Sequence, residues 1–292
     1  VLVPYTSVGI GASARSRYST FLFSGVNLAS GGAPLEYGGA LSAVLPLETK
    51  DYSTVDKLGL NASIVGAGGG GTRTFGKGSA SVDLNYQNMA LHNRIYPGRK
   101  DFGRSYQLLS GATQLRFTPD ALTVAKLYAQ YDRTDFATYE GDDRRLFGLG
   151  EDNVYLNATL RRVSGAGWEW FAGAAWSYNR QTVDNAAAEG DAWLQFQQEL
   201  HLKAKLGRRL SPLFRLDGGV EAFVRGYAMS YRFPVSAGEA EGHVSPSLGA
   251  FFLSATCFPL ERLKVEGSVR AEYHGLSGAT EVSPRLALNW YQ

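Results

Sequence analysis

Three things are scarce in this chain, and each scarcity excludes something. Charge is the first: 19% of the 292 residues are Asp, Glu, Lys or Arg, against about 25% in ordinary soluble domains. The net charge is only +2, so nothing in the balance calls for nucleic acid or an acidic partner. Cysteine is the second. Cys257 is the single one, which excludes an internal disulfide and a cysteine-based metal cage. Long apolar runs are the third: no stretch approaches about 18 consecutive apolar residues, which excludes a transmembrane helix. A membrane β-barrel is not excluded, because its segments of about 10 alternating residues nearly vanish from hydropathy averages. No methionine or signal peptide precedes Val1, so the start reads as that of a processed or truncated chain.

What is abundant is glycine, 35 residues, and aromatics, 12% with 16 Tyr. The length suits one large all-β domain or two ordinary ones. Residues 1–50 are rich in Gly, Ser and Ala with little sustained alternation. From about residue 54 the pattern has period two, the signature of strands. Leu58, Leu60, Ala62 and Ile64 alternate with Gly59, Asn61 and Ser63. Leu200, Leu202, Ala204 and Leu206 alternate with Glu199, His201, Lys203 and Lys205. Leu263, Val265, Val269, Ala271 and Tyr273 alternate with Lys264, Glu266, Arg270 and Glu272. About eleven such segments follow one another, most longer than the mean soluble strand of about 5–6 residues. Strands of that length, apolar on one face and charged on the other, match those that cross a bilayer at a tilt.

A soluble sandwich of long antiparallel strands would also alternate. Two features weigh against it. Trp168, Trp170, Trp176, Tyr178, Trp290 and Tyr291 are read as gathering near segment ends, as in interfacial girdles. The connections also alternate in length: 118–120, 164–167, 207–212 and 258–260 read as short, and 91–103, 133–150, 181–191 and 231–244 as long. Short turns at one rim and long loops at the other are an outer-membrane habit.

Several motifs tempt a different reading. Gly66-x-Gly68-x-x-Gly71 fits a dinucleotide fingerprint, and Gly71 to Gly76-Lys77 resembles a phosphate loop. Both need a helix to follow. Here Ser79–Tyr86 reads as a strand, and Gly78 replaces the required Ser or Thr, so the run reads as a flexible hairpin. His92, His201, His243 and His274 show no metal-site spacing; His201 lies on a charged strand face and the others in or beside loops. Asp142–Asp143 with Glu151–Asp152 lacks the spacing of a calcium-binding hand and reads as a solvated loop. No nucleophile elbow is present. The charged strand faces say more. Glu199, His201, Lys203, Lys205, Arg215, Asp217, Glu221, Arg225, Lys264, Glu266, Arg270 and Glu272 all point one way, and so much charge inside a small barrel calls for water or a polar plug. Lys203, Arg215, Arg225 and Arg270 are the lumen-facing candidates for ligand contact.

Residues 21–50 carry a resemblance. Ser30-Gly31-Gly32, Glu36-Tyr37-Gly38, Ala40-Leu41-Ser42 and Thr49-Lys50 resemble the C-terminal end of the plug domain of TonB-dependent outer-membrane receptors, most of all those of the Bacteroidetes group. The final Glu281-Val282-Ser283-Pro284-Arg285-Leu286-Ala287-Leu288-Asn289-Trp290 resembles a barrel strand of that family. Gly31-Gly32 and Gly38-Gly39 read as tight turns and positive φ, and Pro284 as the start of a strand, where a missing donor is tolerated.

The resemblance implies an all-β fold: a transmembrane antiparallel β-barrel of about 22 strands around a plug. About twelve strands, roughly half the barrel, are expected here, with residues 1–52 ending the plug and 53–292 opening the barrel. Most of the plug and its TonB box are absent and Gln292 is not the usual terminal aromatic, so the chain reads as a fragment from late plug to mid-barrel. The implied work is outer-membrane import of a nutrient (siderophore, haem, glycan or peptide), driven by the TonB–ExbB–ExbD complex acting through the missing N-terminal region. Outer-membrane lipid is an implied partner, and a surface lipoprotein accompanies some relatives. No catalytic residue, metal or cofactor is expected. In the family the first strand rises from the periplasm, which puts the long connections outside only if 67–76 is itself a short strand. Tyr96, Arg99, Lys100, Asp142, Asp143 and Arg144 are then the outer-loop candidates for ligand contact. A complete small barrel, acting as a passive pore or a membrane-embedded hydrolase with a Ser–His–acid set, is the alternative.

Overall fold

The computed structural model describes residues 22–26, 29–30, 35–38, 43–44, 47–49, 55–97, 102–142, 144–165, 167–185, 188–233 and 238–291. Two short pairs come first: β1 (Phe23–Val26) with β4 (Leu47–Thr49), and β2 (Ala29–Ser30) with β3 (Ala43–Val44). The rest forms one antiparallel sheet in chain order. Its strands are β5 (Lys57–Ser63), β6 (Gly66–Phe75), β7 (Gly78–Asn88), β8 (Phe102–Asp120), β9 (Thr123–Glu140), β10 (Arg145–Val163), β11 (Trp168–Asp184), β12 (Ala192–Ser211), β13 (Phe214–Arg232), β14 (Glu239–Val244), β15 (Ser247–Leu260), β16 (Leu263–His274) and β17 (Ala279–Trp290). A short helix, α1 (Ala90–Ile95), follows β7.

Of these thirteen strands, β14 and β15 share one place. β14 pairs with Tyr227–Arg232 of β13, and β15 with Phe214–Val224. Between them Pro246, which has no N–H to give a ladder, still accepts from the Arg225 amide at 3.0 Å. The sheet is therefore crossed twelve times, as the sequence leads one to expect. The glycine-rich segment is strand β6, the one that the parity of the connections requires. Its missing side chains leave room for β5: a Cβ at Gly69 would come within 2.6 Å of Leu60 Cδ2. Strand β7 follows it, not a phosphate-binding helix.

Most of the buried sheet residues are polar, and the exposed face carries a broad run of large apolar side chains. Ser79, Ser81, Gln114, Arg116, Gln130, Asp132, Asn153, Asn179, His201, Lys203, Glu221 and Arg270 are buried on the inner face, the one that Leu22, Phe23, Leu35, Glu36 and Thr49 contact. Leu84, Leu127, Leu160, Leu202, Val220, Phe251, Leu286 and Leu288 are exposed on the other. Leaving such side chains in water forfeits about 1.5–3 kcal/mol each, so the outer face is built for an apolar surrounding. Phe75, Phe117, Trp170, Phe214 and Trp290 border it beside the short turns. Tyr86, Tyr131, Tyr178 and Tyr273 lie farther along the strands. Amphipathic aromatic rings of this kind favour the two edges of a bilayer.

One rim carries the turns 76–77, 121–122, 164–167, 212–213 and 261–262; the other carries 64–65, 89–101, 141–144, 185–191, 233–238 and 275–278. Two segments expected as long loops are mostly strand. β9 runs to Glu140 and β10 starts at Arg145, so 133–150 is a hairpin with a four-residue tip. Likewise 231–244 is largely the β13–β14 hairpin. Beyond the apolar band, ladders persist on polar cross-strand contacts such as Arg104 with Asp135, Tyr131 with Asp152 and Arg232 with Glu239.

Three further expectations are corrected. Trp176 and Tyr178 sit inside β11, not at its end. A bilayer crossing takes about 9–11 residues, which Trp168 to Tyr178 supplies, and the remainder of β11 projects past it. Pro284 is inside β17, opposite Val269. It is tolerated because β17 has one neighbour among the described residues, and a missing donor on the far side breaks no ladder bond. Gly38 is not at positive φ; its need is space, as shown below. Gly31, Gly32 and Gly39 lie outside the described residues.

Candidate functional site

The inner face holds the N-terminal segment at three places. Leu22, with no exposed surface, packs among Ala112, Tyr128, Tyr155 and Ala175, and Phe23 meets the Tyr128 ring edge-on, centroids 5.6 Å apart. Lys126 Nζ donates to the Thr49 carbonyl at 3.0 Å. The third place is electrostatic and involves Leu35, Glu36, Tyr37 and Gly38.

Strand alternation places that third contact. His201, Lys203 and Lys205 fall on one face of β12, Glu221 and Phe223 on the facing side of β13, Phe252 on β15, and Arg270 and Glu272 on β16. Lys203 stands directly opposite Glu221 in the ladder. Lys203 Nζ donates to the Glu36 carbonyl at 2.7 Å, and Lys205 Nζ to the Glu36 carboxylate at 2.8 Å. Arg270 donates to the Leu35 carbonyl at 3.2 Å. Lys203 Nζ also lies 4.9 Å from the centre of the Tyr37 ring and 5.4 Å from that of Phe252, within cation–π range.

Glu221 is the hub. Its carboxylate accepts from Arg270 at 2.8 Å, faces His201 Nε2 at 2.9 Å and has Lys203 Nζ at 3.6 Å. His201 in turn stacks on Phe223, centroids 3.9 Å apart. Arg270 spends its Nε on Glu272 at 2.6 Å. Lys203, Lys205 and Arg270 are thus matched by Glu36, Glu221 and Glu272. Charges this deeply buried are tolerated only when paired and hydrogen-bonded. Gly38 explains the glycine of the Glu-Tyr-Gly signature: a Cβ there would collide with the Arg270 guanidinium and the Glu272 carboxylate. Burial, reinforced by the Glu36, Glu48 and Glu221 carboxylates, pushes the Tyr37 phenol up to about 12.

Toward the rim with the shorter turns, a cavity of about 340 Å³ separates Leu35 and Glu36 from the wall, lined also by Lys205, Arg215, Lys264 and Glu266. Its charges are largely spent within the wall. Arg215 pairs with Asp217 at 2.7 Å and Glu169 at 2.9 Å, and Lys264 with Glu266 at 2.9 Å.

The four lumen-facing candidates therefore divide. Lys203 and Arg270 reach the N-terminal segment. Arg215 and Arg225 are held within the wall, Arg225 by Glu199. Among the outer-loop candidates, Tyr96 is exposed beyond α1, beside His92 with ring centroids 5.1 Å apart. Asp142 and Arg144 are exposed in the β9–β10 turn, where the Arg144 guanidinium lies 5.0 Å from the centre of the Tyr139 ring. Tyr96 and this turn belong to different connections on the same rim. Arg99, Lys100 and Asp143 lie outside the described residues. The hub was not singled out from sequence. Glu221 was one of twelve charged positions sharing a face, and only the register brings it opposite Lys203 and near Arg270.

Solved structures share this fold. The alcaligin outer-membrane receptor FauA of Bordetella pertussis aligns with a TM-score of 0.69 at 11% identity, over 92% of this chain and 46% of its own. The copper transporter OprC aligns at 0.66 and 14% identity, over 89% and 46%. The ferric enterobactin receptor PfeA of Pseudomonas aeruginosa aligns at 0.65 and 13%, over 90% and 46%. The chain thus spans less than half the length of each, and the fold it shares is that of their barrel portion. No protein-family model matches the sequence. No curated protein sequence matches it significantly.

Proposed function

We propose that this chain supplies wall strands and a lumenal plug segment to a TonB-dependent outer-membrane receptor, which binds a nutrient outside the cell and imports it to the periplasm. Residues 1–52 belong to the plug and 53–292 to the barrel. The observation that carries this reading is the inside-out sheet, apolar outward and charged inward, with the inward charges holding Leu35 and Glu36. A passive pore has no use for such a grip, whereas a gated receptor needs a lumenal segment that is held and can be released. The rim with the longer connections faces outward and offers Tyr96, Arg99, Lys100, Asp142, Asp143 and Arg144 to the ligand. The similar structures are receptors for alcaligin and ferric enterobactin and a copper transporter. These favour a chelated or free metal over a glycan or peptide as cargo.

The work is binding and passage, so bond-making catalysis is not part of the proposal. Energy enters from TonB–ExbB–ExbD through plug residues upstream of this segment. The test is uptake of a panel of labelled ferric siderophores, haem and copper by cells carrying or lacking the gene, each with and without functional TonB. Uptake of one cargo that needs both supports the reading. Uptake that needs the gene and ignores TonB makes the protein a passive pore.

A further inference from the structure

We infer that Glu272, His274 and Glu281 form a binding site for a first-row divalent transition-metal ion, at the tip of the β16–β17 hairpin. The three lie on the inner face of that hairpin. Glu272 stands directly opposite Glu281 in the ladder, and His274 is two residues farther along β16. The sequence suggests only a histidine beside a loop; the structure makes His274 the last residue of β16. It missed the triad because its members meet across a register, not along a spacing.

Three observations point to a cation. Glu272 and Glu281 are like charges directly opposite in an antiparallel pair, which is destabilising, and Arg270 pairs with only one Glu272 oxygen, Oε1, leaving Oε2 beside His274. His274 Nε2 is buried and without a hydrogen-bond partner. That same atom lies 3.9 Å from a Glu272 carboxylate oxygen and 4.0 Å from a Glu281 one, too far for a hydrogen bond and suited to ligands sharing an ion. The three ligand atoms all lie within 4.8 Å of one another. A point equidistant from them is no more than about 2.5 Å from each, and shifts of a few tenths of an ångström reach the ~2.0–2.2 Å of zinc–nitrogen and zinc–oxygen bonds.

The donor set selects the class. One imidazole nitrogen with two carboxylate oxygens suits zinc, copper or nickel better than calcium or magnesium, which take oxygen alone. Glu272 is positioned for single-oxygen ligation, because its other oxygen already accepts from Arg270 at 2.6 Å. Water completes the coordination shell at the open side of the rim. The site shares Glu272 with the Arg270 network, whereas His274 and Glu281 make no contact with Leu35 or Glu36 among the interactions described, so their substitution leaves that contact in place.

The experiment is calorimetric titration of zinc chloride into the native polypeptide that contains these residues, purified from outer membranes in detergent, with cobalt chloride as an optical probe. One zinc ion bound per chain is expected, with a cobalt absorption band of nitrogen–oxygen ligation. His274→Ala should weaken binding at least about 100-fold, and Glu281→Gln about 10-fold or more. Unchanged heat-modifiable gel mobility shows that each variant is folded. Wild type without zinc binding, wild type preferring calcium, or His274→Ala binding zinc as wild type does, each overturns the inference.

Discussion

Lys203 Nζ donates to the main-chain oxygen of Glu36 at 2.7 Å, across 167 positions of sequence. Side-chain identity at residue 36 does not matter to that bond; the path of the backbone does. A cation buried on the inner face of the sheet therefore reads where the N-terminal segment runs, and Lys205 adds a reading of the Glu36 carboxylate.

Lys203→Met should loosen that segment without unfolding the sheet. A hydrogen bond to a charged group contributes about 1.5–3 kcal/mol, which corresponds to roughly a 10- to 100-fold rise in local opening. Hydrogen exchange at the amides of residues 35–38 should accelerate by that factor while β9 and β10 amides stay protected. Equal protection in mutant and wild type would show that the bond holds nothing.

Glu221→Leu should cost more. It leaves Arg270, Lys203 and His201 facing a buried apolar side chain, and stranding one side of a buried ion pair costs about 3–5 kcal/mol. Urea unfolding in detergent should show a clear drop in midpoint for Glu221→Leu, with Glu221→Gln between it and wild type. Leucine tolerated as well as glutamine would remove Glu221 from the centre of the network.

Gly38→Val should mimic the loss of the Arg270 contact. The new side chain takes the space of the Arg270 and Glu272 side-chain ends, and both are held from the other side. Protease cleavage within residues 22–49 should speed up several-fold, and Gly38→Ala should fall between. Full protection in Gly38→Val would mean that the wall yields there.

Tyr37 gives the contact a pH limit. Its phenol proton is bound more tightly in the docked segment, with a pKa of about 12, than in a released one, near 10.0. Support from Tyr37 is therefore complete below pH about 10 and is lost as pH rises toward about 12. Protease resistance of the segment should fall through that window more steeply in wild type than in Tyr37→Phe. Superimposable profiles would contradict the burial of the ring.

Much of this was legible in the sequence because strand alternation is a local property. Leu200 to Lys205 already separates an apolar face from a charged face, and the parity of the connections was enough to demand a strand in 67–76. What escaped depends on register, which no single strand encodes. The Glu221 hub needs β12, β13 and β16 aligned, and in 133–150 neighbouring apolar residues such as Phe136-Ala137 and Leu146-Phe147 break the period-two alternation that marks the other strands. The Glu-Tyr-Gly signature was visible as a resemblance. Its reason, the space that Arg270 and Glu272 occupy beside Gly38, belongs to the three-dimensional contact.

The outward-apolar, inward-polar sheet is tested most directly at two adjacent residues of β15, Leu253 and Ser254, which face opposite ways. With Cys257→Ser as background, a fluorophore is placed on Leu253→Cys or Ser254→Cys and the protein is reconstituted in vesicles of brominated lipid. Strong quenching at 253 and little at 254 is the expected result. Equal quenching at the two positions, or none at either, would contradict a wall with lipid on one side only.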